Sequence, residues 1–356
     1  MNDPLLFGVA SILYLLSMVF YVFFIILKKE LLGKIASVSV YVGFVVHTMA
    51  FFIRWYIFSK AFSLPIAHSI PITNLYESLL FFAWCLILGN IFIEYKFNTK
   101  IFGVIITAIA GMSIAFVDAV GANKMVQPIL PALKSNWLLA HASLSFVAYA
   151  AFSLSFSAAI LNLAYNIRNK KSILYIYWTA ALGIFVYTTL LLIIDFIINL
   201  LNRIKDGYKP FSLLKLLPNE WKILLLIVLI CFIVLFYIFG SKLGSVVDRF
   251  GIKSELLETV EYKMITIGFM IFTIGGLIFG AIWADISWGR YWAWDPKETW
   301  AFITWLVYAF YIHMRFIKGR DGVSASAIAV IGFIVTIFTY IGVNLLLSGL
   351  HSYGGM

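Results

Sequence analysis

The chain has 356 residues, of which 63% are hydrophobic and 12% charged, with a formal net charge of +10 and a mean hydropathy of +1.00. A soluble domain is about half apolar and a quarter charged, so this composition excludes a soluble enzyme or binding module and leaves a polytopic membrane protein. The basic balance does not signal nucleic acid, because most Lys and Arg residues cluster at the ends of apolar runs, as the positive-inside rule expects.

A bilayer core needs roughly 20 apolar residues per helix. On that measure the chain predicts ten helices: 5–27, 35–58, 75–94, 101–118, 137–165, 173–201, 221–240, 263–284, 299–317 and 325–348. The first run, Leu5 to Leu27, is long enough to span, is followed by Lys28 and Lys29, and shows no cleavable-signal pattern. Asn74 and Glu77 are spaced as an N-cap and its N3 partner, which predicts a capping box at the start of 75–94. The sixth and seventh runs form an apolar hairpin, about 172–240, with Asp195 inside it and Arg203, Lys205, Lys209 and Lys215 in its turn region. That hairpin either spans the membrane or forms a re-entrant or surface unit. Without it, eight helices and the same sidedness remain.

Clusters at Lys28, Lys29 and Lys34, at Arg168, Lys170 and Lys171, and at Arg315, Lys318 and Arg320 mark the cytoplasmic side. Alternation then puts both termini outside, together with the loops 59–74, 119–136 and 285–298. The expectation is an all-α polytopic membrane protein of about ten transmembrane helices, a single integral membrane domain over 1–356 without internal repeats.

The external segment from Trp288 to Trp300 carries Trp288, Tyr291, Trp292, Trp294 and Trp300, the cations Arg290 and Lys297, and the acids Asp295 and Glu298. Amphipathic rings settle at membrane surfaces. A flat aromatic shelf rimmed by cations suits a large, flat, apolar ligand with acidic edges, and haem fits that description. Arg54, Arg290 and Lys297 all fall near the external interface, where they can pair with propionates. Asp295 and Glu298 open helix 299–317, where acids complement the helix dipole, and that structural role suffices for them.

Five histidines occur. His141 lies one turn inside the external end of 137–165, and His351 follows the external end of the last helix. Both fall at the depth of the tryptophan segment, as two imidazoles gripping one haem iron require. His313 lies 13 residues past Trp300 on the same helix, about 20 Å deeper at 1.5 Å per residue. It therefore points to a second, inner site, whose other ligand is either His47 or a histidine of another protein. His68 reads as a loop histidine at the rim. Cys85 and Cys231 form neither CxxC nor CxxCH, so this chain does not attach haem covalently through that motif, and both read as packing residues.

With these residues in hand, the run from Trp288 to Glu298 resembles the tryptophan-rich WWD segment of haem-handling proteins. Asn74 to Leu79, Trp137 with His141, Trp300 through His313 and the terminal Leu350-His351-Ser352-Tyr353-Gly354 are similar to the CcsA/ResC branch of cytochrome c biogenesis, System II. The resemblance covers most of the chain outside roughly 172–240. It implies a haem exporter and holocytochrome c synthase (haem lyase) of the cytoplasmic membrane, with its active site on the extracytoplasmic face. Its partner would be a CcsB/ResB-type membrane protein, its substrates haem b and apocytochrome c bearing CxxCH, with thiol-reducing proteins acting indirectly. It also implies that His141 and His351 are the axial ligands of an external haem, cradled by Trp288, Trp292, Trp294 and Asp295. His313 would be one ligand of an inner haem, its second supplied by the partner. Two other classes use similar residues: a System I-type haem chaperone component, and a cytochrome b-like electron-transfer subunit.

Overall fold

The computed structural model describes residues 3–120, 122, 124–126, 134–206, 219–317 and 322–347. Among these the secondary structure is helical, in ten rods. They are α1 (Asp3–Leu27), α2 (Glu30–Phe62), α3 (Leu75–Phe97), α4 (Gly103–Ala119), α5 (Asn136–Asn166), α6 (Ile173–Asp206), α7 (Asn219–Arg249), α8 (Ser254–Trp288), α9 (Pro296–Phe316) and α10, which begins at Gly322–Ile337 and ends at Val343–Leu346. Eight of the helices are long and apolar enough to cross a membrane, and Gly103–Val117 is a shorter apolar helix. Both arms of the hairpin, Ile173–Asn199 and Lys222–Arg249, belong to the eight.

Several helices overrun their expected ends. α2 continues to Phe62, α7 to Arg249, and α8 starts at Ser254 rather than 263. The extra turns carry charged residues that hydropathy assigns to loops, yet the protein pairs them internally: Arg168 with Asp248, and Glu258 with Arg315 at 2.9 Å. A paired charge costs a helix end far less than a bare one in lipid. The start of α3 forms half of the expected box. Asn74 accepts from the Glu77 N–H, but the Glu77 carboxylate turns to the Thr73 N–H and hydroxyl.

α5 is the hub, packed against α3, α8 and α10. Small residues line its buried length, and the hydroxyls of Ser145, Ser153, Ser155 and Ser157 donate to carbonyls three or four residues back. Helices can then approach closely in lipid without stranded polar groups. α6 and α7 pair at the flank, where Tyr175 donates to the Tyr237 carbonyl. α7 turns Ile223, Leu226, Ile230, Val234 and Ile238 outward.

The connections gather at two ends. The turns after α1, α3 and α7 line a cavity of about 540 Å³ with Lys100 and Lys253. Arg168 and Arg315 belong to the same end through their partners. The opposite end collects 63–74, the start of α5, the turn 289–295 and the last turn of α10, tied by His68 to Asn136 at 2.6 Å and Lys297 to Asn344 at 2.9 Å. α6 runs away from the basic end, so its last turn, with Arg203 and Lys205, lies at this second end. Lys209, Lys215, Lys318 and Arg320 lie outside the described residues.

Candidate functional site

His141 stands in the second turn of α5, whose start is capped by Ser135 accepting from the Trp137 N–H. Its Nδ1 lies 2.9 Å from the carbonyl oxygen of Gly275. A carbonyl only accepts, so Nδ1 carries the proton and Nε2 the lone pair. α8 passes through π geometry from Phe272 to Phe279, a wider turn that disturbs the α-helical pairing of its carbonyls. The His141 ring stacks on Trp283, with centroids 6.0 Å apart and 14° between planes. Two glycines allow the approach: a Cβ on Gly275 would lie 2.2 Å from Leu144 Cβ, and one on Gly280 would lie 2.9 Å from the His141 ring.

α8 ends at Trp288, followed by Gly289 at φ 71°, a left-handed conformation that glycine adopts without steric cost. Trp288 meets Trp283 at 4.8 Å. The chain then turns into α9 through a reciprocal capping box. The Asp295 side chain caps α9 and accepts from the Lys297 N–H, while Glu298 accepts from the N–H groups of Ala293 at 2.7 Å and Asp295 at 3.2 Å. Between those two donors sits Trp294 at φ 57°. A bulky residue there costs on the order of 1–3 kcal/mol, and the Glu298 bridge on either side holds it. The Trp294 side chain is thereby turned outward, 67% exposed. Trp292 packs edge-on against Trp294 at 5.7 Å, and both lean on Phe302.

Two cavities meet at His141. One, of about 60 Å³, is lined by Gly280, Tyr291, Trp292 and Glu298; the other, of about 130 Å³, by Asn74, Ser78, Trp283, Tyr340 and Asn344. His141, Ser145, Tyr149 and Lys297 line both. Lys297 extends over the Tyr340 ring, 5.3 Å from its centroid, and donates to Asn344 Oδ1. It lies in the first turn of α9, outside the eight helices long and apolar enough to cross a membrane. Burial pushes its ammonium down to about 8, against the opposing pull of the Asp295 carboxylate. A cation partly stripped of water beside an imidazole is suited to receive a carboxylate.

The structure thus brings His141, Trp292 and Lys297 together, with Trp288 behind them through Trp283. Arg290 and Trp294 are exposed on the same turn. Asp295 is buried and engaged as a cap, so the expectation that it contacts a ligand gives way to the structural role. His351 lies outside the described residues. The contributions of Tyr149, Trp283, Tyr340 and Asn344 escaped sequence reasoning. The Gly276-x-x-x-Gly280 spacing was a usable signal of close helix approach.

Two expectations on the other polar residues change and one holds. Arg54 is not a rim cation: it is 2% exposed, bonded to Asp3 at 3.1 Å, to Glu77 at 2.9 Å and to the carbonyls of Lys124 and Met125. The carboxylates that neutralise it draw it inside. Arg54→Ala strands both acids, at an expected cost of about 3–5 kcal/mol. A melting curve of the purified variant matching that of the parent would refute this role. His47 does not pair with His313. It is fully buried, with Nδ1 3.1 Å from the Tyr14 hydroxyl and its ring against Phe7, whereas His313 is exposed on α9. His68 is a loop residue, as expected.

Residues 72–351 match the family described as Cytochrome C assembly protein. That span takes in His141, the tryptophan segment, His313 and His351. The chain is 32% identical over 332 residues to the cytochrome c biogenesis protein CcsA of Prochlorococcus marinus (strain MIT 9312), covering 92% of this chain and 87% of the relative. It is 36% identical to CcsA of Chlorella vulgaris over 286 residues, 80% of this chain and 77% of that one. To CcsA of Microcystis aeruginosa (strain NIES-843 / IAM M-2473) it is 35% identical over 290 residues, 80% and 79%.

Proposed function

Because the chain belongs to the cytochrome c assembly protein family and is a multi-pass membrane protein of cytochrome c biogenesis, we propose that it carries haem b to the outer face of the cytoplasmic membrane and joins it to the CxxCH motif of apocytochrome c. In this reading it works with a CcsB/ResB-type membrane partner as a holocytochrome c synthase. One observation carries it: an imidazole with its tautomer set by a backbone carbonyl, beside a half-buried lysine and against the tryptophan turn. Metal-binding histidines commonly donate their other ring N–H to a carbonyl or carboxylate, which fixes the ring and raises its basicity.

His141 supplies one axial ligand and His351 the other. Lys297 and Arg290 meet the propionates, and Trp288, Trp292 and Trp294 border the ring. The two cavities beside His141 adjoin the tryptophan turn, so haem would dock between the ring and that turn. His313 holds haem on the inward part of the route, with its second ligand from the partner.

At the outer site each cysteine thiol of CxxCH adds across one vinyl group. The S–H bond and the C=C π bond break, a C–S bond and a C–H bond form, and no electrons are exchanged with a third party. The CxxCH histidine displaces one axial ligand, and the product leaves when the cytochrome's own ligands have replaced those of the chain. No side chain of the tryptophan turn is a nucleophile, so the chain contributes chiefly position, and the macrocycle supplies the reactive groups.

The test is a pyridine haemochrome spectrum of the purified complex incubated with reduced apocytochrome. A shift from vinyl-bearing to thioether-bearing haem is expected. His351→Ala should lower outer-site haem and product by about tenfold or more. Equal yield from that variant removes His351 from the site, and no thioether product from the parent removes the synthase reading.

A further inference from the structure

At the basic end, α8 and α9 are joined by a polar cluster that the outer site does not use. Glu261 is 1% exposed. Tyr311 donates its hydroxyl to Glu261 Oε1 at 2.8 Å, and Ser326 on α10 donates to Oε2 at 2.5 Å. One turn earlier on α8, Glu258 accepts from Arg315 at 2.9 Å. The network reaches α5 through Ser326, which accepts from Asn162 at 2.9 Å, and through Ser254, which donates to Asn162 at 2.7 Å. Four helices thus share one hydrogen-bonded patch in a region where an unpaired polar group is costly.

The spacing has a consequence for His313. Tyr311 and Arg315 are four residues apart, so they share one face of α9, and Glu258 with Glu261 share one face of α8. His313 stands two residues from each, about 200° around the helix from both. Fastening 311 and 315 onto α8 turns residue 313 outward. The structure agrees: Tyr311 is buried and His313 is exposed, in line with exposed Leu306, Phe310 and Phe316.

We infer that Glu258 and Glu261 are positioning residues for the inner site: by clamping Arg315 and Tyr311 they set the rotation of α9 that presents the His313 imidazole outward to the inner haem. This rests on the proposed role of His313 as a haem ligand. Neither acid touches the ligand. Trp305 at mid-helix also donates to Thr273 on α8 at 2.9 Å, so the two acids fix the end of α9 that carries His313.

The experiment uses the full chain purified from membranes with the protein that co-purifies with it. Tyr311→Phe combined with Arg315→Met removes both fastenings of α9 to these acids, leaving Ser326 on Glu261, the Trp305 bond to Thr273 and His313 itself unchanged. Inner-site haem content and its absorption and EPR signature of axial ligation are read beside those of the outer haem, which reports folding. The expected result is a roughly tenfold loss of inner-site occupancy, or a change in its ligation signature, with the outer haem intact. Glu261→Gln, which keeps an acceptor for Tyr311, should retain most of the inner haem, whereas Glu261→Leu should lose it. An unchanged inner signature in the double variant overturns the clamp when His313→Ala abolishes that signature. An unchanged signature in His313→Ala overturns the inner-site reading itself, and the clamp with it.

Discussion

Replacing His141 with alanine is expected to remove the outer haem signal and to lower cytochrome c yield by two orders of magnitude or more, while the protein stays in the membrane at normal abundance. The size of the effect follows from what the ring does. Its protonated Nδ1 is tied to Gly275, so the nitrogen with the lone pair is Nε2. Loss of an axial ligand removes affinity and exposes iron to other donors. The loss to the fold is smaller, because the ring is half-buried against Trp283 and lines two existing cavities. Truncation therefore enlarges a space already present, and added imidazole should enter it. Recovery of the six-coordinate spectrum by millimolar imidazole in His141→Ala (about the strength of a weak small ligand) would support direct ligation. A normal spectrum in the variant without imidazole would remove His141 from the site.

Gly280→Val should produce nearly the same defect with every ligand in place. A Cβ on residue 280 lies 2.9 Å from the His141 ring before any further atom is added. Retreat takes the ring off the Trp283 face and the Gly275 carbonyl. Valine must swing the imidazole off its carbonyl partner or push α8 from α5. Either outcome removes the constraint on tautomer and direction, which is worth about 10- to 100-fold in metal affinity where a supporting partner is lost. The expected readout is an altered outer haem spectrum and potential, with the inner haem unchanged. Wild-type outer haem in Gly280→Val would show that helix packing does not orient this histidine. Gly275→Ala meets Leu144 Cβ at 2.2 Å, an atom that no rotamer change moves, so α8 must shift from α5 and carry the Gly275 carbonyl off the ring; its defect should be at least as large.

Helix number was readable because lipid imposes a length and a composition on every span. That requirement is local, so the ten runs could be counted without knowing their partners. The capping chemistry was half readable. Asn74 and Glu77 have the right spacing, yet Glu77 also faces Arg54, 23 residues away in sequence, and that contact competes with the box. At Asp295 and Glu298 the reciprocal box closes even though the Glu298 carboxylate also accepts from the Ala293 N–H.

Local pattern alone determined that this is a membrane protein, that an aromatic turn lies between two of its helices, and that His141 and Lys297 fall near it. Each follows from residue type and distance along the chain. Tertiary structure decided how each cation is held: Arg54 and Lys297 look alike in sequence, but Arg54 meets two carboxylates in its buried surroundings, whereas Lys297 donates to Asn344 beside the His141 cavities. It also decided which nitrogen of His141 holds the proton, since the acceptor comes from a residue 134 positions later in a helix that departs from α geometry. A span can be recognised from its own residues, whereas the charge state and aim of a side chain depend on whichever distant groups packing brings against it.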